Sequence, residues 1–282
     1  MLRKLDYEKK QPIIELFNSI QGESIEAGTP TIFVRMSGCN LRCCFNNSIC
    51  DTAYSSFSPE KNKFTYKDVE DIIKKHPLTT TLCISGGEPC LNQEVLFNLI
   101  QIGEDNDMDI SIETNGSIIV DENLLRRIDL ANISPKLSSS EPTDEKLEKF
   151  GLSWTPSLKK HTSSRYNKEA LWNLIEYTKD FRLKYVVGCQ EDFNEIESQI
   201  KDLIDFDIKR KHRKRYPSYF KGQEVWYDHR FINPWNIVLM PAGRSNDELN
   251  QNRKIVAEYC AEHGYCYSDR LQIVIWEKER NK

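Results

Sequence analysis

From residue 31 onward the chain alternates short β-branched runs with stretches of helical period, and this order leaves few architectures open. TIFVRM, TTLCIS, DISIET and DLANIS are separated by YKDVEDIIKK, QEVLFNLIQI and ENLLRR. KEALWNLIEYTK, FRLKYVV, FNEIESQIKDLID, WNIVLM, NDELNQNRKIVAEYCAEHG and LQIVIW continue the series. Repeated β-α units fold as an α/β protein with a mostly parallel sheet, here about seven strands, arranged as an open or incomplete barrel. Two stretches interrupt the rhythm, 137–167 and 206–233, and read as insertions in surface loops. No repeat or linker divides the chain, so residues 1–282 read as a single domain.

A chain of 282 residues with 39% hydrophobic and 29% charged residues has ample material for a core, which excludes global disorder. Its net charge of −4 is not that of a general polyanion binder. The basic run Lys209 to Arg215 therefore reads as a solvated loop, with nucleic acid as the weaker reading. No apolar run approaches the roughly 18 residues of a membrane helix, and MLRKLDYEKK lacks the apolar region of a signal peptide. A cytoplasmic location is expected, with reduced thiols and no disulfide framework. The five histidines share no metal-like spacing, and Trp172, Trp235 and Trp276 read as core.

In a parallel β/α array, functional groups collect just past the carboxyl ends of the strands. Those positions hold Ser-Gly-Cys39, Ser85-Gly-Gly-Glu88-Pro, Glu113-Thr-Asn115-Gly and Ser134-Pro135-Lys136. Gly86 and Gly87 there leave backbone groups open to close approach. Any one of these motifs suits an ordinary βα turn; four at one rim point to a site.

Four of the nine cysteines, Cys39, Cys43, Cys44 and Cys50, fall within twelve residues at this rim. Zinc asks for four ligands in a tetrahedron, and adjacent Cys43 and Cys44 do not easily face one ion. Three thiolates on a four-iron cluster leave one iron open to a chelating amino acid, an arrangement suited to chemistry.

The sequence resembles the radical S-adenosylmethionine superfamily and, within it, the 7-carboxy-7-deazaguanine synthase family. Glu15-Leu-Phe-Asn-Ser-Ile20-Gln21-Gly22-Glu23, Gly28-Thr-Pro30, Phe33-Val-Arg35 and Gly38-Cys-Asn-Leu-Arg-Cys43 are similar to that family's opening. Cys50-Asp-Thr52, Ser-Gly-Gly-Glu-Pro, Glu-Thr-Asn-Gly, Ser-Pro-Lys, Lys184-Tyr-Val-Val and Leu239-Met-Pro follow in the family's order. The chain departs from the pattern in two places. Seven residues, where the family has three, carry the chain from Cys43 to Cys50, which reads as an insertion of Asn46-Asn-Ser-Ile49. Ser24 stands where the family has glycine, which would tighten the turn beside the substrate.

The resemblance implies an incomplete barrel of the radical S-adenosylmethionine type with six to seven parallel strands. It implies Cys39, Cys43 and Cys50 as ligands of a 4Fe-4S cluster, with Cys44 as the competing ligand. Gly87, Glu88, Ser134, Pro135 and Lys136 would contact S-adenosylmethionine, and Thr52 would offer its hydroxyl to Mg²⁺. The implied substrate is 6-carboxy-5,6,7,8-tetrahydropterin, converted to 7-carboxy-7-deazaguanine with loss of ammonia. Glu23 would accept from its aminopyrimidine edge and Arg35 would grip its carboxylate, both by charge-assisted bonds. Ile20, Gln21, Gly22 and Ser85 match the other substrate positions. A homodimer and an electron donor such as flavodoxin or ferredoxin are also implied. The alternatives are another radical enzyme such as a glycyl-radical activase and a non-enzymatic zinc module.

Overall fold

The computed structural model describes residues 6–209, 215–220, 223–228, 232–277 and 279–280, with the side chains of 208–231 outside the description. An antiparallel pair, β1 (Ile13–Ile20) and β2 (Pro30–Met36), opens the chain. Parallel strands follow: β3 (Thr81–Gly86), β4 (Asp109–Thr114), β5 (Leu130–Ile133) and β6 (Asp180–Val187). A small antiparallel pair, β7 (Arg215–Phe220) and β8 (Gln223–Asp228), stands apart as its own sheet. The main sheet resumes with β9 (Ile237–Pro241) and ends at β10 (Cys266–Tyr267). Its order is β1-β2-β3-β4-β5-β6-β9-β10, with the two end strands unpaired to each other, so the barrel is open.

Helices fill the crossovers that parallel strands require. They are α1 (Ala53–Ser56), α2 (Tyr66–Lys75), α3 (Gln93–Asp105), α4 (Glu122–Leu125), α5 (Asp144–Lys149), α6 (Pro156–Ser164) and α7 (Lys168–Tyr177). α8 (Glu191–Lys209), α9 (Asn246–His263) and α10 (Leu271–Trp276) complete the set. Their starts are written locally: Thr65 and Asp68 form a capping box on α2, and Asn92, Asn167 and Ser245 cap α3, α7 and α9. Gly264, at φ +72°, ends α9 in the left-handed conformation that glycine adopts without steric cost.

The strands alternate with period two. Ile84, Ile112, Ile133 and Leu183 face the helices and join one contiguous core with Trp172 and Tyr185. On the opposite face Ser85, Glu113, Asn132 and Lys184 line a cavity. The barrel interior is thus polar, and the apolar core lies between sheet and helices.

The parallel sheet and six of the expected strands agree with the sequence reading. LQIVIW does not: it forms α10, and the last strand is the two-residue β10. Its β-branched run favours a strand by propensity, but Leu271 N–H donates to Gly22 O at 2.9 Å, which ties this turn of chain to the β1–β2 loop. Trp235 is 51% exposed, against the expected core position. Residues 137–167 hold a 3-10 turn (Ser138–Ser140), α5 and α6. Of the basic run 209–215, residues 210–214 lie outside the described residues. Among the described residues no helix is long and apolar enough to cross a membrane.

Candidate active site

One cavity of about 540 Å³ opens at the carboxyl ends of the parallel strands. Its first wall is the loop after β2. Gly38, at φ +94°, turns the chain there, and its amide donates to Ser55 O at 2.7 Å. Cys39, Cys43 and Cys50 all line the cavity, and none is in a disulfide. Cys50 N–H donates to Cys43 O at 3.0 Å, Cys44 bridges to Ile49, and Phe45 N–H donates to Ser48 O at 2.8 Å. Residues 43–50 therefore close a small hairpin, and the extra residues 46–49 form its tip. The hairpin returns Cys50 beside Cys43 despite the longer spacing. Cys44 points the other way, fully buried with Leu147 and Leu158.

Burial pushes the Cys39 thiol up to about 12 and raises Cys43 and Cys50 above the ordinary thiol range, with Asp51 adding to the rise at Cys50. Thiolates on this wall need positive charge supplied by a bound group. Among the described residues no three His, Cys, Asp or Glu side chains converge on a single ion. Three cysteines on one wall, each free to bind its own iron, fit a cluster.

The turn after β3 packs on this loop. A Cβ on Gly87 would lie 2.0 Å from Gly38 O, and one on Gly86 2.2 Å from Met36 O. The glycine pair is thus required by close approach of backbone to backbone, as well as lining the cavity. Glu88 does not reach the cavity. It is 1% exposed and accepts from Thr114 Oγ1 at 2.7 Å, Asn115 N at 2.7 Å and Cys90 N at 3.0 Å. Its carboxylate joins the turns after β3 and β4 and is consumed by that task. Ser134 and Lys136 line the cavity, with Lys136 Nζ donating to Ser134 Oγ at 2.8 Å, whereas Pro135 is buried away from it.

The opposite wall comes from β1, β2 and the loop between them. Ile20, Gln21, Gly22, Glu23, Arg35 and Ser85 all line the cavity. Gln21 Nε2 and Ser85 Oγ donate to the two oxygens of Glu113, at 3.3 and 2.6 Å. Arg35 gives Nε to Glu15 at 2.6 Å, and its terminal amines have no hydrogen-bond partner among the described residues. Glu15 also accepts from Tyr54 and Arg280. Thr52 Oγ1 lies 3.3 Å from Cys50 Sγ. Ser24 adopts φ +63°, so its replacement of glycine does place a side chain in the left-handed region, with its amide donating to Ser268 Oγ at 2.7 Å.

Glu23 sits in a dense ion network that the sequence does not reveal. Lys184 Nζ donates to one oxygen at 2.6 Å; Gln272 Nε2 at 2.7 Å and Arg270 Nε at 3.1 Å donate to the other. Arg270 also pairs with Asp51, next to Cys50. Burial alone would raise the Glu23 carboxyl, but Lys184 and Arg270 outweigh it and hold it well below the usual range. Gln272 presses on Gly22, where a Cβ would lie 1.8 Å from its Oε1. The Lys184 motif was visible in sequence without a role; Arg270 and Gln272 carry no local signal, being almost 250 positions from Glu23.

A family model described as a 4Fe-4S single cluster domain matches residues 21–150. Three cysteines at the strand ends of an open α/β barrel, inside the stretch that this model matches, define a protein of the iron-sulfur cluster class. The 7-carboxy-7-deazaguanine synthase of Halobacterium salinarum is 34% identical over 268 residues, covering 94% of this chain and 90% of that protein. The chain belongs to the 7-carboxy-7-deazaguanine synthase family. The Rhodopirellula baltica synthase is 29% identical over 261 residues, covering 93% and 84%. The crystal structure of QueE from Escherichia coli shares the fold, with a TM-score of 0.56 at 21% identity over 92% of this chain and 93% of that one.

Proposed function

We propose that this chain is a radical S-adenosylmethionine lyase that converts 6-carboxy-5,6,7,8-tetrahydropterin to 7-carboxy-7-deazaguanine with loss of ammonia. The observation that carries this reading is one cavity with three cysteine thiols on one wall and Glu23 and Arg35 on the other. Cys39, Cys43 and Cys50 would hold the cluster. When bound, cluster and S-adenosylmethionine supply one-electron, hydrogen-abstracting chemistry.

The chain's own groups then select and hold the substrate. The terminal amines of Arg35, without a hydrogen-bond partner among the described residues, offer a fork to the carboxylate while Glu15 fixes the side chain through Nε. Lys184 keeps Glu23 ionised, ready to accept from an aminopyrimidine. A carboxylate has about four acceptor positions and three are taken, so two parallel bonds require Arg270 or Gln272 to move aside. Ser134, Lys136 and the backbone at Gly87 form the face that would contact S-adenosylmethionine. Glu88 supports that face from behind. Thr52 would contribute a hydroxyl to Mg²⁺ that otherwise rests on water and substrate oxygens. Flavodoxin or ferredoxin as reductant, a homodimeric assembly and a cytoplasmic location complete the reading.

Anaerobic reconstitution tests it. Iron and sulfide bound in about equal amounts, and 7-carboxy-7-deazaguanine formed from the carboxypterin with S-adenosylmethionine and reductant, are the expected results. Zinc in place of iron, or a cluster without carboxypterin turnover, would set the proposal aside.

A further inference from the structure

We propose that His161 and Ser140, in the 137–167 excursion, are positioning residues that grip the cysteine loop on both sides of Cys43. His161 is fully buried, and its Nδ1 accepts the Arg42 amide at 3.1 Å. Its Nε2 lies 3.1 Å from Ser140 Oγ, which donates to Leu137 O at 2.7 Å. Since Nδ1 accepts, Nε2 carries the proton and donates to Ser140, so every hydrogen in the chain is directed. The Ser140 carbonyl in turn accepts the Cys44 amide at 2.8 Å. The two amides flanking Cys43 therefore end on the same pair of residues.

Other contacts run in the same direction. Cys44 packs against Leu147 of α5 and Leu158 of α6, and Lys149 Nζ donates to Asn46 O at 2.7 Å at the hairpin tip. Arg165 ties the excursion back to the barrel through Lys136 O at 2.8 Å and Glu195 at 2.7 Å. The excursion thus forms a brace behind a loop whose front faces the cavity. An amide held by His161 keeps the Arg42 to Cys44 backbone in one conformation, which fixes where the Cys43 thiol points.

The inference rests on reading Cys43 as a cluster ligand, and the test separates the two ideas. His161→Phe keeps the bulk and removes both ring nitrogens; His161→Asn places an acceptor oxygen near the position of Nδ1. In the cluster-free protein, amide exchange at Arg42 and Cys44 is expected to accelerate in the Phe variant and to be partly restored in the Asn variant. In the reconstituted protein, the Phe variant should lose iron to a chelator about ten- to a hundredfold faster, the range for disturbing groups that orient metal ligands. The electron paramagnetic resonance signal of its reduced cluster should also broaden. Ser140→Ala, which removes only the hydroxyl, should shift the same readouts less and covers the case of an unstable Phe variant. Unchanged exchange and iron retention in both His161→Phe and Ser140→Ala would overturn the brace. Accelerated exchange in a protein that assembles no cluster even with His161 present would sustain the brace and remove the cluster reading instead.

Discussion

A buried carboxylate that accepts from a lysine, an arginine and an amide is costly to neutralise, because Lys184 then loses its carboxylate partner and Arg270 keeps only Asp51. For Glu23→Gln the expected loss is about 3 to 5 kcal/mol of stability, alongside a sharp fall in carboxypterin turnover. Arg35→Ala should cost less stability, since Glu15 keeps Arg280 and Tyr54, yet should impair turnover as severely. In both variants S-adenosylmethionine cleavage without substrate should persist; its loss would show that these residues serve the cofactor. Ser24 invites the reverse experiment. A serine at φ +63° carries a left-handed penalty of about 1 to 2 kcal/mol, and its buried hydroxyl has no partner among the described residues. Ser24→Gly should therefore raise the unfolding free energy by about 1 kcal/mol, read as a higher chemical-denaturation midpoint.

Among the elements, the hairpin 43–50 decides which cysteines do what. Cys50→Ala should abolish cluster assembly, measured as iron per chain. Cys44→Ala should leave assembly intact and cost roughly 1 kcal/mol, the loss of one buried apolar atom. Exchange of these two outcomes would make Cys44, not Cys50, the third ligand. The brace behind the hairpin adds a pH signature. Burial, with Arg165 and Lys136 nearby, depresses the His161 pKa to about 4 from an unfolded value near 6.5. A depressed pKa contributes stability that is present above the unfolded value and lost as pH falls toward the folded one. The His161 share of stability lost between pH 6.5 and pH 4 should thus be about 3 kcal/mol, and His161→Asn should flatten the pH dependence of cluster-free protein by about that much in urea titrations at each pH. The helices and parallel strands were legible because their signals are local: period, caps and turn residues within a few positions. The strand-end motifs were legible for the same reason. The helical state of LQIVIW was not, since its conformation depends on Gly22 and Glu23, which a window along the chain never meets. Likewise Glu88 reads as a ligand group in sequence because its partners, Thr114 and Asn115, become neighbours only when β3 and β4 pair.

For the whole molecule, the cavity is completed by residues from both ends of the described chain. A variant ending at Ser268 loses Arg270 and Gln272 while keeping the paired strands β1 to β9. It should still assemble a cluster but turn over the carboxypterin poorly, with Glu23 held by Lys184 alone. Retention of full turnover would show that the C-terminal wall takes no part in binding. The closure of Glu23 and Asp51 by a single arginine also sets an order of events during synthesis. The ribosome delivers Cys39, Cys43 and Cys50 more than 200 residues before Arg270. A nascent chain can therefore present its cysteines to iron and sulfide in an open groove, and the clasp of Arg270 and Gln272 over Glu23 closes only when translation has passed residue 272.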